Sequence, residues 1–383
     1  MRYLTAFIFL SSLLAGVLSP AGAEPIPAPP ELPVRSYILI DAYSGQTLAE
    51  LNSDERMEPA SITKLMTGYV LYKRLQEGVA KLDDMVTISE KAWRMEGSRM
   101  YVELGSQVPV KDLLLGMVVQ SGNDATVALA EYIAGSESAF VELMKQQAAE
   151  LGLANSHFMN SEGLPDPNHY MSARDIATLG RAIIRNFPEY YKGYSIREFT
   201  YNKIKQQNRN RLLWQDSSVD GLKTGHTNSA GYCLVASAKR GDMRLIAVVL
   251  GAKNEKDRFR ASQELLNYGF SFFETQKIYN ANESLTEARV WKGDKNRLPA
   301  GVVGGFYVTL PKGRAEGLQA VMNVDPDIIA PVQQGDPVGE VTATLDGQII
   351  NKTPLTALEN VGEAGLLGRL WDGLILMILS LFR

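Results

Sequence analysis

The sequence predicts an α+β protein: an antiparallel sheet with helices on its faces, followed by a small all-β domain and a C-terminal amphipathic helix. Three observations lead there. Strand-like apolar runs near the N-terminus (Tyr37–Asp41) and after Val219 enclose a long stretch of helical periodicity. Beyond residue 279, short β-rich runs such as Val302–Val308 and Pro337–Val341 are punctuated by Gly, Pro and Asp. The last twenty or so residues repeat Leu366, Leu367, Leu370, Trp371, Leu374, Ile375, Ile378 and Leu379 with helical spacing. At 383 residues the chain exceeds what one hydrophobic core usually holds, so two domains are expected.

Taken in order, residues 1–23 begin Met1-Arg2, continue through an apolar run and end Ala21-Gly22-Ala23, the form of a secretory signal peptide with an Ala-x-Ala cleavage site. Residues 24–32 are a Pro-rich leader. Residues 33–278 form the first domain, opening on a hairpin with its turn at Ser44-Gly45-Gln46. Pro59 and Ala60 lead into a helix with apolar residues at Ile62, Leu65, Met66, Tyr69 and Val70, and Gly78 is its stop. Three strands follow Val219, the last two joined by a turn at Lys239-Arg240-Gly241-Asp242, and a closing helix is expected over 254–276. Residues 279–360 are the all-β domain. In the tail, residues 361–383, Arg369 and Asp372 fall off the apolar stripe. A membrane span needs about 20 mostly apolar residues, so a helix lying in the membrane plane fits this pattern better than one crossing it. Docking on the β domain, or contact between copies in a homodimer, stays open as the alternative.

Chemistry concentrates at three places. Ser61-Ile62-Thr63-Lys64 puts a hydroxyl and an amine on one helical face, and an amine buried against an apolar stripe favours its neutral form, so Lys64 could take the Ser61 proton. Ser121-Gly122-Asn123 interrupts two apolar helical runs. Lys223-Thr224-Gly225-His226 lies on a strand, where Gly225 either weakens pairing or lets a ligand approach the backbone. Each pattern alone is compatible with a helix cap, a polar turn or a solvated lysine. Together, each occurring once and in this order, they are not.

Ser61-x-x-Lys64, Ser121-x-Asn123 and Lys223-Thr224-Gly225 resemble the motif set of the penicillin-recognising serine acyl-transferases. Asn208-Arg209-Asn210, Leu212-Leu213-Trp214, Asp220 to Thr227 and Gly269 to Glu274 are more closely similar to the low-molecular-mass D-alanyl-D-alanine carboxypeptidases, from about residue 33 to the carboxyl end. The resemblance implies a transpeptidase/β-lactamase-like first domain and removal of the terminal D-alanine from peptidoglycan pentapeptides through an acyl-enzyme on Ser61, with β-lactams as inhibitors. It implies Lys64 as base in acylation and deacylation, Ser121 as a proton relay toward the leaving amine with the positive charge of Lys223 beside it, and Asn123 as partner of Lys64 and of the substrate amide. The oxyanion would be held by the backbone N–H groups of Ser61 and His226. The substrate carboxylate would be read by Lys223, Thr224 and Arg258, with Gly225 and His226 beside it and Arg209 nearby. It further implies a periplasmic enzyme peripherally anchored by residues 361–383 to the outer face of the cytoplasmic membrane. A D,D-endopeptidase, or a cell-wall scaffold that binds β-lactams and turns over poorly, are the alternatives. A class A β-lactamase is disfavoured, because Glu162-Gly163-Leu164-Pro165-Asp166 lacks the text of that enzyme's deacylating glutamate.

Composition excludes other classes. With 39 basic against 43 acidic residues the chain is mildly acidic, a poor partner for nucleic acid. One cysteine, Cys233, precludes an intramolecular disulfide and sits in an apolar run as a core residue. His157, His169 and His226 have no metal-ligand spacing, so neither metal nor cofactor is expected.

Overall fold

The computed structural model describes residues 26–380; the expected signal peptide, residues 24 and 25, and Phe382 at the end of the tail lie outside the described residues. The first domain is organised by a five-stranded antiparallel sheet of β1 (Ser36–Asp41), β2 (Thr47–Leu51), β3 (Val219–Thr227), β4 (Gly231–Arg240) and β5 (Met243–Ala252), in the spatial order β2-β1-β5-β4-β3. Tyr37 pairs with Val249 and Ile40 with Ile246, so the two ends of the domain meet at the sheet centre.

Strand periodicity assigns side chains to two layers. Ile38, Ile40, Val235, Ile246 and Val248 face the helical middle of the chain. Tyr37, Leu39, Leu234, Leu245 and Val249 face the helix Glu255–Phe272 through Phe259, Leu265 and Leu266. Leu245 to Leu250 is therefore apolar without alternation, since β5 is covered on both faces. Asn254 caps the closing helix by accepting from the Asp257 N–H at 2.9 Å.

Two element boundaries differ from expectation. The closing helix ends at Phe272, not 276; Phe273–Tyr279 is a strand antiparallel to Phe306–Pro311. Adjacent Phe272 and Phe273 satisfy either period, and long-range pairing decides. The helix bearing Ser61 begins as a 3₁₀ turn, Ala60–Thr63, and becomes α-helical only at Lys64, running to Gln76.

The second domain has a five-stranded sheet, Thr286–Arg289, Arg297–Gly301, Gln348–Ala357, Pro337–Leu345 and Leu318–Val324 in spatial order, around a core that includes Val290, Leu298, Val308, Val341 and Leu355. Contact with the first domain runs through Thr275, which donates to Asp41, a 2.6 Å Ser44–Thr309 hydroxyl contact and stacked Tyr43 and Tyr307 rings 5.0 Å apart.

The tail helix, Leu366–Ser380, docks one face on the β domain and leaves apolar side chains of another exposed. Asp372 is buried against the β domain, accepting from the Lys292 N–H at 2.6 Å and facing Arg289 at 3.6 Å. Leu367, Leu370 and Trp371 are 85 %, 71 % and 65 % exposed. Among the described residues no helix is long and apolar enough to cross a membrane.

Candidate active site

The three motifs converge although they lie far apart in the chain. The 3₁₀ turn presents Ser61 at a cleft of about 210 Å³, which Ser98, Ser121, Arg209, Thr224, Gly225, His226, Tyr232, Glu255 and Arg258 also line.

Lys64 is the centre of the arrangement. Its Nζ lies 3.0 Å from Ser61 Oγ, 2.7 Å from Asn123 Oδ1 and 2.7 Å from the Glu162 carbonyl oxygen. As an ammonium it donates to all three. Burial lowers its pKa to about 7, against an opposing pull from Glu162 and Asp124 and with help from Arg209. On losing one proton, Lys64 keeps Asn123 and Glu162 as acceptors for its two remaining N–H bonds and turns its lone pair to the Ser61 hydroxyl. The two fixed acceptors aim the amine at the Ser61 hydroxyl.

Ser121 occupies the break between the run Gly116–Gln120 and the helix Asn123–Ala134, with φ +65°. Its Oγ accepts from Lys223 Nζ at 2.8 Å. Lys223, on β3, is fully desolvated and close to Lys64, Arg209 and Arg258, and burial first and these cations second push its pKa well below the usual lysine value. Asn123 is held by Nδ2 donating to the Glu96 carbonyl at 2.6 Å and its backbone N–H donating to the Ser98 carbonyl at 2.6 Å. Asp124 fixes the facing loop by accepting from the N–H groups of Met100 and Tyr101 at 2.9 and 2.8 Å.

Gly225 lines the cleft and also packs closely on the chain itself. A Cβ there would lie 2.8 Å from the Pro59 carbonyl oxygen and 3.1 Å from Ile62, so its bareness lets β3 close on the chain's own Ser61 turn. Gly225→Ala is expected to destabilise the fold by about 1–3 kcal/mol through overpacking and to slow acylation by prying Ser61 from β3. A thermal melt unchanged from the parent would contradict this.

Arg258 sits in the first turn of the closing helix, 5 % exposed. It donates to the Gly225 carbonyl at 3.3 Å and to Glu255 at 3.2 Å, and lies over the Tyr232 and Phe259 rings. Arg209 donates its Nε to the Gln120 carbonyl at 3.0 Å and lines both this cleft and an adjoining one of about 840 Å³ that runs past Arg211 and Trp214. The His226 ring rests on Tyr232, centroids 4.0 Å apart. Cys233 is wholly buried, its thiol pushed up to about 11 by burial. Among the described residues no cluster of three His, Cys, Asp or Glu side chains could hold a metal ion.

Sequence reasoning missed Ser98, Tyr232, Glu255 and the Glu162 carbonyl. The Glu162 side chain, the one acid at the position of a deacylating glutamate, points elsewhere: its carboxyl lies 3.0 Å from the Ser161 hydroxyl oxygen, which donates its proton to Glu137 at 2.8 Å.

A profile of the peptidase family described as "D-alanyl-D-alanine carboxypeptidase" matches residues 23–254. The chain belongs to the D-alanyl-D-alanine carboxypeptidase family. A second profile, the C-terminal domain of penicillin-binding protein 5, matches residues 273–363. The chain is 46 % identical to the D-alanyl-D-alanine carboxypeptidase DacA of Haemophilus influenzae, over 99 % of this chain and 98 % of that one. Against the carboxypeptidase DacC of Escherichia coli it is 45 % identical over 96 % and 93 %. Among solved structures, penicillin binding protein 5 of Haemophilus influenzae superposes with a TM-score of 0.78 at 46 % identity, covering 88 % of this chain and 99 % of that one. The α+β first domain and all-β second domain are thus the architecture of this carboxypeptidase family.

Proposed function

We propose that this carboxypeptidase removes the terminal D-alanine of peptidoglycan stem peptides by acyl transfer to Ser61. The observation that carries the reading is the 3.0 Å approach of Ser61 Oγ to a Lys64 amine that burial favours in its neutral form. Lys64 takes the Ser61 proton as Oγ attacks the carbonyl carbon of the D-Ala-D-Ala bond. The backbone N–H groups of Ser61 and His226 hold the resulting oxyanion. The Lys223–Ser121 pair delivers a proton to the leaving amine, and free D-alanine departs. Asn123 keeps Lys64 in place and meets the substrate amide. With its first proton passed on through Ser121 to the leaving amine, Lys64 then takes a proton from a water that attacks the ester carbonyl and gives it to Ser61 Oγ as the acyl group departs, freeing Ser61. β-Lactams enter the same path, with support from a 29 % identical relative, penicillin-binding protein D2 of Listeria monocytogenes, solved with ampicillin bound.

The free carboxylate of the substrate meets Thr224 and Arg258 across the cleft, Arg258 exchanging Glu255 for it. Arg258→Gln is expected to lower kcat/KM for a peptide ending in a free carboxylate by about 10- to 100-fold, the range for losing a charge-assisted hydrogen bond. The same peptide with an amidated terminus should show no such loss; equal losses for both would remove Arg258 from carboxylate reading.

The decisive assay is D-alanine release from diacetyl-Lys-D-Ala-D-Ala beside labelling by penicillin. Labelling without release would make the protein a β-lactam-binding scaffold. The adjoining 840 Å³ cleft favours one second reading, an endopeptidase accepting a cross-linked peptide. Faster cleavage of cross-linked muropeptides than of the pentapeptide would select it.

We further infer export to the periplasm through residues 1–23 and peripheral attachment to the outer face of the cytoplasmic membrane through residues 361–383. Support comes from the exposed Leu367, Leu370 and Trp371 on a helix whose opposite face is pinned by Asp372. The chain lacking residues 366–383 should lose co-sedimentation with anionic phospholipid vesicles and keep its D-alanine release. Retained co-sedimentation would overturn the anchor, and vesicle-independent loss of a dimer on truncation would assign this face to a homodimer instead.

A further inference from the structure

A second buried cluster lies directly beneath the Ser61–Lys64 pair. Ser161 donates to Glu137 Oε1 through both its N–H, at 2.9 Å, and its hydroxyl, at 2.8 Å. The Glu162 carboxyl lies 3.0 Å from the same Ser161 hydroxyl, so the two carboxyl groups, at 8 % and 4 % exposure, meet around one hydroxyl. Two carboxylates so close cannot both ionise without strong repulsion, so one proton is shared between them. Lys91, from the helix Glu90–Trp93, reaches Glu137 at 2.6 Å and identifies it as the ionised partner.

The cluster is tied to the catalytic turn by packing as well as charge. Gly163, at φ +90°, has no room for a side chain: a Cβ would fall 1.9 Å from the Ala60 carbonyl oxygen. Thr67, one turn after Lys64, donates to the Ser161 carbonyl at 2.5 Å. The Ser161–Gly163 segment therefore forms the floor of the Ser61 turn, and its Glu162 carbonyl is one of the two acceptors that orient Lys64.

We propose that Glu137 and Glu162 are positioning residues that share one proton, seat the Glu162 carbonyl on Lys64, and set the pH at which that amine becomes a base. Burial, and then the Glu137 anion, push the Glu162 carboxyl up. Burial also acts to raise Glu137, but hydrogen bonds from Glu162, Lys91 and Ser161 outweigh it and hold Glu137 down. While Glu162 keeps its proton, Lys64 faces a neutral group. Once Glu162 ionises, its charge favours the ammonium form of Lys64 and delays release of the base.

The other charged groups around Lys64 are the same in the parent and in the variants that test the pair. Arg209 lowers its proton affinity and Asp124 raises it, while Lys223 faces it across the cleft. His169, in contact with Thr63 at 2.9 Å, is pushed down to about 4 by burial and stays neutral. Lys91 also faces Glu131. Of these neighbours, the carboxyl pair is the one whose backbone also holds the Lys64 amine.

This proposal rests on Lys64 being the base, and its test is the pH profile of Ser61 acylation by penicillin. Glu162→Gln retains a donor to Glu137 but cannot ionise, so the rising limb should move to lower pH. Glu137→Gln removes the anion that keeps Glu162 protonated, so the limb should move to higher pH. Each shift should be on the order of one pH unit. The double variant should titrate like Glu162→Gln. A partly misfolded sample changes the amplitude of the profile and not its midpoint. Limbs that coincide with the parent's, shifts of the same sign in both single variants, or failure of both to fold would overturn the proposal in favour of a purely structural pair. Wild-type protein that penicillin does not acylate at any pH would instead defeat the reading of Ser61 and Lys64 on which it rests.

Discussion

Ser61→Ala should abolish both penicillin labelling and D-alanine release while leaving the fold intact. The serine hydroxyl makes one hydrogen bond among the described residues, with Lys64, and that amine retains Asn123 and Glu162 as partners when the hydroxyl is gone. Of the other nucleophilic side chains nearby, Ser121 is engaged by Lys223, and Cys233 is wholly buried outside the cleft with its thiol pushed up to about 11. Loss of a covalent nucleophile costs on the order of 10⁶ in kcat in a serine peptidase, so D-alanine release should fall to background. Mass spectrometry of the protein incubated with penicillin reads the outcome directly. An adduct of one penicillin on the Ser61→Ala variant would refute the assignment.

Lys64→Met should come second in size. Methionine fills the same buried channel without the desolvation penalty of an amine, and the fold should survive, although two acceptors, Asn123 Oδ1 and the Glu162 carbonyl, lose their donor. Removing a general base costs about 10²–10⁴ in rate, so acylation should slow by that factor without vanishing. The parent protein should acylate poorly below pH 7 and gain rate as pH rises through about 7, because the base is the neutral amine and burial lowers Lys64 to that value. In Lys64→Met that limb should disappear, leaving a slow rate with little pH dependence there. Stopped-flow acylation across pH 5 to 9 checks both points; a limb that persists in the variant would give the base role to another group.

Much of the site was legible in the chain because its chemistry depends on side-chain type. Only a hydroxyl and an amine can play the parts of Ser61 and Lys64, and a three-residue interval on a helical turn brings them together without help from the rest of the fold. The period-2 and near-continuous apolar runs likewise marked the strands, since water and the covering layers act on each residue locally. The boundary at Phe272 and Phe273 was not legible, because two adjacent aromatics suit a helix end and a strand start equally and the deciding partner, Phe306–Pro311, lies more than thirty residues on.

Backbone groups and close approaches left no mark. Any residue at 162 could have supplied the carbonyl that orients Lys64, and Gly225 looked like a glycine awaiting a ligand until Pro59 was found against it. Glu137 opens the helix Glu137–Glu150, and its meeting with Ser161 and Glu162 spans a long intervening chain.

The sequence by itself therefore determined the layered α+β plan and singled out the candidate nucleophile Ser61, its candidate base Lys64 and the pair Ser121 and Lys223, all from residue type and short-range spacing. The tertiary structure alone decided which carbonyl aims the base, which glycine admits the strand, and which carboxyl pair stands beneath them. Those depend on where distant backbones come within van der Waals contact, and burial there, by excluding water, makes each neighbouring charge and acceptor count.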